Sequence, residues 1–185
     1  MPENDKLTRL LHSPLAWGIV AVTVAVCMTF VLTMTFRPDY RTVQLEMSEL
    51  ASNIRESYRQ KADYWGLNTE TVLQNKSAPK SMQRQNRIVS SLGRDVTIGS
   101  NQNGDMPMPG ARVFVLTVKR LSPSVCLGLA QSVDTKADPA LEGIIIGNDS
   151  GSVEFGWNGS ETFDSLPTQA QKLCKNNNTF SWIFR

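Results

Sequence analysis

Three cysteines are the side chains of this chain best suited to covalent chemistry, and their positions divide them two and one. Cys27 lies inside a long apolar run and reads as a small hydrophobe. Cys126 and Cys174 lie in the water-facing remainder, an even pair of the kind an oxidising compartment leaves as a disulfide. The competing reading is two unrelated buried thiols in a cytosolic domain. A bridge between them would close a 49-residue segment. In the loop-entropy picture that is worth about 4 kcal/mol, a large share of a small domain's stability. Other chemistry finds little support. The single histidine, His12, precedes the apolar run, so neither a Ser–His–Asp nor a Cys–His arrangement can form in the domain. There is no C-x-x-C, no H-E-x-x-H and no acidic calcium loop, and Gly99 and Gly104 lack the Lys-Ser/Thr of a phosphate loop. Glu46 and Glu49 read as a solvated helix face. The residues therefore predict a protein that is not an enzyme, with no metal and no cofactor. A formal charge of +2 with no basic run argues against nucleic acid as a partner.

The elements that must position the two cysteines follow from local patterns. Ser122 is an expected N-cap with Pro123 at the first helical position, opening a helix over Leu121 to Val133 that carries Cys126, Leu129, Ala130 and Val133 on one face. Leu166 to Leu173 reads as a short helix that ends at Cys174, and Asn176–Asn177–Asn178 turns the chain into a last strand, Thr179 to Phe184. Strands are expected at Val96–Ile98, Arg112–Lys119, Ile144–Ile146 (bracketed by Gly143 and Gly147) and Val153–Trp157, the second being richest in β-branched and aromatic residues. Asn68 should cap a helix from Thr69 to Gln74, and Ile88, Val89 and Leu92 suggest a short turn.

Upstream, Leu15 to Phe36 is a 22-residue run without a charge, Pro or Asn. At about 1.5 Å per residue it reaches roughly 33 Å, enough for one membrane crossing. Mean hydropathy is nonetheless −0.23, so the remainder is ordinary water-facing protein. The run is longer than a secretory h-region and no A-x-A-like site follows it, which predicts an anchor kept in the mature chain. Lys6 and Arg9 before the run balance Arg37 and Arg41 after it, so orientation rests on the cysteine pair, which favours a cytoplasmic tail and an exported domain. Beyond the run, Val43, Met47, Leu50, Ile54 and Tyr58 recur at helical spacing. They predict a helix face that packs on the domain. One long helix from about Leu15 to Asp63, bent near Pro38 and closed by Gly66, accounts for both halves. The expected organisation is a tail over 1–14, a membrane helix over 15–36, an amphipathic helix over 37–63 and an α+β globular domain over 64–185.

This order of parts resembles type IVb pilins and their minor-pilin relatives, including those of conjugative thin pili. The segments that carry the likeness are S-E-L-A-S-N-I-R-E-S-Y, N-T-E-T-V-L-Q-N-K-S-A-P, L-S-P-S-V-C-L-G-L-A and the ending N-N-N-T-F-S-W-I-F-R. The resemblance implies a pilin-like α+β fold: a long helix packed on an antiparallel sheet, with a disulfide-bounded C-terminal region exposed to neighbouring subunits or to a cell-surface target. The N-terminus departs from the family pattern. Pilins are expected to carry a basic leader ending in Gly and a Glu fifth in the mature chain. Here the glycine near the run is Gly18, the fifth residue after it is Thr23, and no Glu lies between Asp5 and Glu46.

The reading that follows is a non-enzymatic pilin-like subunit, minor or specialised, of a type IV pilus or a related export or conjugation machine. Leu15, Ala21, Ala25, Cys27 and Phe36 mark its anchor, the small alanines suiting contact with other helices in lipid. Its partners are membrane lipid and other pilin or assembly subunits. It would sit in the inner membrane with its domain in the periplasm, or in a surface pilus. Two alternatives are a permanently anchored assembly or regulatory protein of the same machine, and an unrelated type II adhesion or receptor domain.

Overall fold

The computed structural model describes residues 21–28, 40–101, 103–156 and 159–185. It divides into two units, Met1–Pro38 and Asp39–Arg185. In the first, residues 21–28 are helical, with Val22, Val24, Val26 and Met28 exposed. Leu15 and Phe36 lie outside the described residues, as do most of the apolar run and the expected bend at Pro38. No helix among the described residues is long and apolar enough to cross a membrane.

The second unit is an α+β domain in which helix α1 (Tyr40–Tyr58) lies against a five-stranded antiparallel sheet. The sheet is built from β3 (Val96–Gly99), β4 (Phe114–Leu121), β5 (Leu141–Asn148), β6 (Gly151–Gly156) and β7 (Asn178–Phe184), in the spatial order β3-β4-β7-β5-β6. The C-terminal strand β7 is therefore the central one, and the sheet joins its halves only when the end of the chain arrives. Register stacks the bulky residues on one face: Leu116 opposite Trp182 and Val118 opposite Phe180 in one direction, Ile144 opposite Trp182 and Ile146 opposite Phe180 in the other. Because side chains alternate along a strand, all of these point the same way. Onto them α1 lays Val43, Met47, Leu50, Ala51 and Ile54, each with no exposed surface, and Tyr58.

Polar contacts fix the helix laterally. Trp182 Nε1 donates to Gln44 Oε1 at 2.8 Å from the sheet centre. On one side Ser91 N–H donates to the Glu46 carboxylate at 2.8 Å; on the other Ser48 Oγ donates to Asp138 at 2.5 Å, with Arg55 3.9 Å from the same carboxylate. At the helix C-terminus Tyr58, Tyr64, Phe114 and Phe184 form a chain of rings with centroids 5.5, 4.8 and 5.8 Å apart, contacts that add to simple burial.

Several boundaries differ from local expectation. α1 closes at Tyr58 rather than Asp63, and residues 59–66 turn back because Tyr64 N–H donates to the Ala111 carbonyl and Gly110 N–H to the Asp63 carboxylate. Gly66, with φ +77°, serves the turn before α2 (Thr69–Gln74) instead of ending α1. Asn68 caps α2, its Oδ1 accepting from Thr71 N–H at 2.8 Å. The expected turn around Ile88 is part of a hairpin, β1 (Gln83–Arg84) with β2 (Arg87–Ile88). Its exposed Arg and Gln residues mask any strand pattern. β4 runs on to Leu121 through a register shift, with Arg120 at φ +59°. This turns Leu121 into the core.

Candidate functional site

The sheet has two unlike faces and two unlike flanks, the surfaces through which the domain meets other molecules. The inner face is closed by α1. The outer face places Val115, Ile145 and Ile183 beside the polar pair Thr117 and Ser181, whose hydroxyls lie 2.9 Å apart and buried. It carries a groove of about 590 Å³ with those three aliphatic residues as its floor and Asn103, Glu154 and Arg185 among its walls. Arg185 Nε lies 3.0 Å from Glu142 at one end. A second groove, about 570 Å³, runs between α1 and the turn after α3 (Pro123–Ser132), past exposed Leu45 and the partly buried Gln44. Among the described residues Gln44 Nε2, buried there, has no hydrogen-bond partner, its oxygen being committed to Trp182.

The β5 flank is built around the cysteines. Ser122 caps α3, and Pro123 stands at its start. This places Cys126 against α4 (Leu166–Leu173), where Cys174 is the C-cap residue. The two are joined by a disulfide with a Cα–Cα distance of 5.7 Å. The bond ties two helices whose apolar sides, Cys126, Leu129 and Ala130 on α3 and Leu166 and Ala170 on α4, are already buried. Three asparagines then lock the α4–β7 turn. Buried Asn178 donates to the carbonyls of Leu121 and Lys175 and accepts from Lys175 N–H. Asn177, at φ +56°, donates to Asp149, and Asn148 donates to the Leu173 carbonyl. In the middle of α3, the Tyr40 ring packs so closely on Gly128 that a Cβ there would overlap it.

The β3 flank has no covalent tie. Ile98 N–H donates to Thr69 Oγ1 at 3.0 Å, which caps the exposed side of β3 with α2, and Ser57 and Ser77 share a 2.5 Å hydroxyl contact. Asp63 holds the 106–111 loop through Gly110 N–H and also accepts from Trp65 N–H. Those two backbone donors, chiefly Gly110, hold its carboxyl below the usual carboxylate range. Burial pushes the phenols of Tyr58 and Tyr64 up. Trp65, Met106 and Met108 stay exposed on this side.

Of the residues singled out in the sequence, Cys126 and Cys174 are brought together by their bond, and Val43, Met47, Leu50, Ile54 and Tyr58 meet the sheet. Ala21, Ala25 and Cys27 lie on the exposed helix 21–28 of the other unit, and Leu15 and Phe36 lie outside the described residues. Sequence reasoning missed Gln44, Gly128 and Asn178. Gln44 gives no local signal, because it flanks the apolar stripe by one position. Gly128 inside a helix and an Asn-rich turn beside a cysteine are signals in principle. Among the described residues no three metal-ligating side chains gather, and the polar pairs serve as struts between elements.

The fold is similar to that of TcpA, a type IV pilin from Vibrio cholerae El Tor biotype, at 14% identity and a TM-score of 0.53, over 78% of this chain and 97% of that one. A type IV b pilin from Salmonella typhi is also similar, at 14% identity and a TM-score of 0.45, over 73% and 93%. No curated protein matches the chain in sequence. Residues 37–185 match the PilS family, described as PilS N terminal. The match takes in the whole described domain and its helix, and the chain belongs to the PilS family, with a type IV pilin-like fold.

Proposed function

We propose that this protein is a non-enzymatic structural subunit of type IVb pilin character, minor or specialised, in a type IV pilus or a related export or conjugation machine. The observation that carries the reading is the family match over 37–185, together with an architecture in which α1 lies along a five-stranded antiparallel sheet. Such a domain acts by packing, with subunit contacts on its flanks and any cell-surface target met by its disulfide-bounded region. The Leu15–Phe36 run supplies the anchor in the inner membrane, the tail staying in the cytoplasm and the domain in the periplasm until assembly. Ala21 and Ala25 give close approach to neighbouring anchors, and Cys27 acts there as a small apolar residue.

One observation favours a second reading, a permanently anchored assembly or regulatory protein. No carboxylate stands between Asp5 and Asp39. An ionised group within lipid is costly unless paired, so this anchor is comfortable in the bilayer and lacks a charge to offer a neighbour's amino group. Mass spectrometry of the membrane-extracted protein separates the two. The subunit reading expects a new, methylated N-terminus near Trp17–Ile19. An intact Met1–Glu3 terminus in every molecule contradicts processing and favours the anchored protein.

A further inference from the structure

Of the asparagines in the chain, two are followed by glycine, Asn103 and Asn158, and Asn158 lies outside the described residues. Asn103 differs from the other turn asparagines in what holds its side chain. The carboxamides of Asn68, Asn101, Asn148, Asn177 and Asn178 all make hydrogen bonds. Among the described residues the Asn103 carboxamide makes none, and Asn103 is exposed. Its backbone is what is fixed. Asn103 N–H donates to Asn101 Oδ1 at 2.8 Å, and the N–H of Gly104, at φ +82°, donates to the Asn101 carbonyl at 3.1 Å. Asp105 closes the turn, its carbonyl accepting from Ser100 N–H at 2.7 Å and its carboxylate from Asn101 Nδ2 at 2.6 Å. The turn presses on the end of β3, so that a Cβ on Gly99 would fall 2.5 Å from the Gly104 carbonyl carbon. Asn103 walls the outer-face groove and also a neighbouring hollow of about 330 Å³, which it shares with Lys119 and Asn148.

We propose that Asn103 is a self-modification site: the chain converts it to aspartate or isoaspartate through Gly104, adding a carboxylate where the two outer-face hollows meet. The step needs only water. The Gly104 nitrogen gives up its proton and bonds to Asn103 Cγ, the side-chain nitrogen leaves as ammonia, and a five-membered succinimide results. Water then breaks one of the two ring bonds to that nitrogen. Cleavage at Cγ gives aspartate; cleavage at the backbone carbonyl gives isoaspartate, with the chain running through Cβ. Nothing is oxidised or reduced. Glycine has no side chain to crowd the approach, and no hydrogen bond holds the carboxamide away. The brake is the Gly104–Asn101 hydrogen bond, which must open first, and a bond in an exposed turn opens at low cost. Isoaspartate also puts one more carbon into the backbone of a turn that has no room to spare over Gly99, so it lifts that turn from β3. The inference does not depend on the subunit reading.

The test incubates the full-length chain, folded in neutral detergent micelles, in mildly alkaline 18O-labelled water and locates the label by peptide mass spectrometry. The same chain unfolded in urea gives the unrestrained rate. The expected result is label at residue 103, as both aspartate and isoaspartate, at a rate within about a hundredfold of the unfolded one, since opening an exposed turn costs little. Asn101→Ala removes the side chain that ties the turn and should bring the folded rate up to the unfolded one. Asn103→Gln, which would need a six-membered ring, should abolish label at that position. Both positions are exposed, and an unchanged thermal midpoint shows that each variant folds. A folded rate more than about a hundredfold below the unfolded one overturns the proposal, as does label entering Asn148 or Asn177 as fast as Asn103. Hydrogen exchange then checks the effect on the turn. Exchange at Ser100 should quicken in the aged protein and stay unchanged in Asn103→Asp, which has the new charge but the ordinary backbone. Equal exchange in fresh and aged protein refutes the lifting of the turn.

Discussion

The two flanks of the sheet solve the same problem by different means. On the β5–β6 side, a disulfide, an asparagine-locked turn and close helix packing on Gly128 hold α3, α4 and the hairpin together. On the β3 side, a short capped helix, a two-residue hairpin and a loop held by one carboxylate rely on hydrogen bonds and on the burial of Leu67, Val72, Met82 and Ile88, without a covalent tie. The difference implies that the β5–β6 flank keeps its shape under load while the β3 flank opens first, since only the former has a cross-link that limits local unfolding.

That contrast can be broken or sharpened by substitution. Removing the disulfide with Cys126→Ser/Cys174→Ser should have the largest effect, a loss of about 4 kcal/mol in the denaturant-unfolding free energy of the oxidised chain. A change under 1 kcal/mol would mean that the β5 flank is held by packing. Next is Gly128→Ala, whose new methyl must displace the Tyr40 ring. Overpacking of this kind costs about 1–3 kcal/mol and is read in the same unfolding curve. Asn178→Ala strands the Leu121 and Lys175 carbonyls in a buried site, at about 1–3 kcal/mol. Hydrogen exchange should show the loss concentrated at β7 and α4. On the other flank Asn68→Ala removes only an N-cap, about 1 kcal/mol, and exchange should quicken in α2 and β3 while α3 and α4 are unmoved. Smallest is Asp63→Asn. The Asp63 carboxyl is held below its ordinary range, so its contribution is present above the unfolded-state value and is lost as pH falls through the folded one. Faster exchange at Gly110 and Trp65 in acid, absent in the Asn variant, is the expected signature.

How much of this was legible beforehand depended on how local each cause is. Asn68 with Thr71, Ser122 with Pro123, and the Val43–Tyr58 stripe are decided within a turn or two of helix, and their elements stand where the pattern puts them. The end of α1 was not legible, because the carboxylate that turns the chain back finds its donor at Gly110, 47 residues away. Nor was the central place of β7, since strand order is a property of pairing between distant segments. The β1–β2 hairpin failed for another reason: two-residue strands are too short to show an alternation, even with Ile88 buried. Among candidate contacts, the cysteine pair was readable by counting.

The central claim, that this protein is a subunit of a filament, is tested most directly by shearing filaments from cells and measuring the protein in them by quantitative mass spectrometry against the membrane fraction. The account predicts peptides of residues 40–185 in the sheared material at a reproducible ratio to the other subunits. Recovery of the protein only in the membrane fraction, from cells that bear filaments, would contradict it.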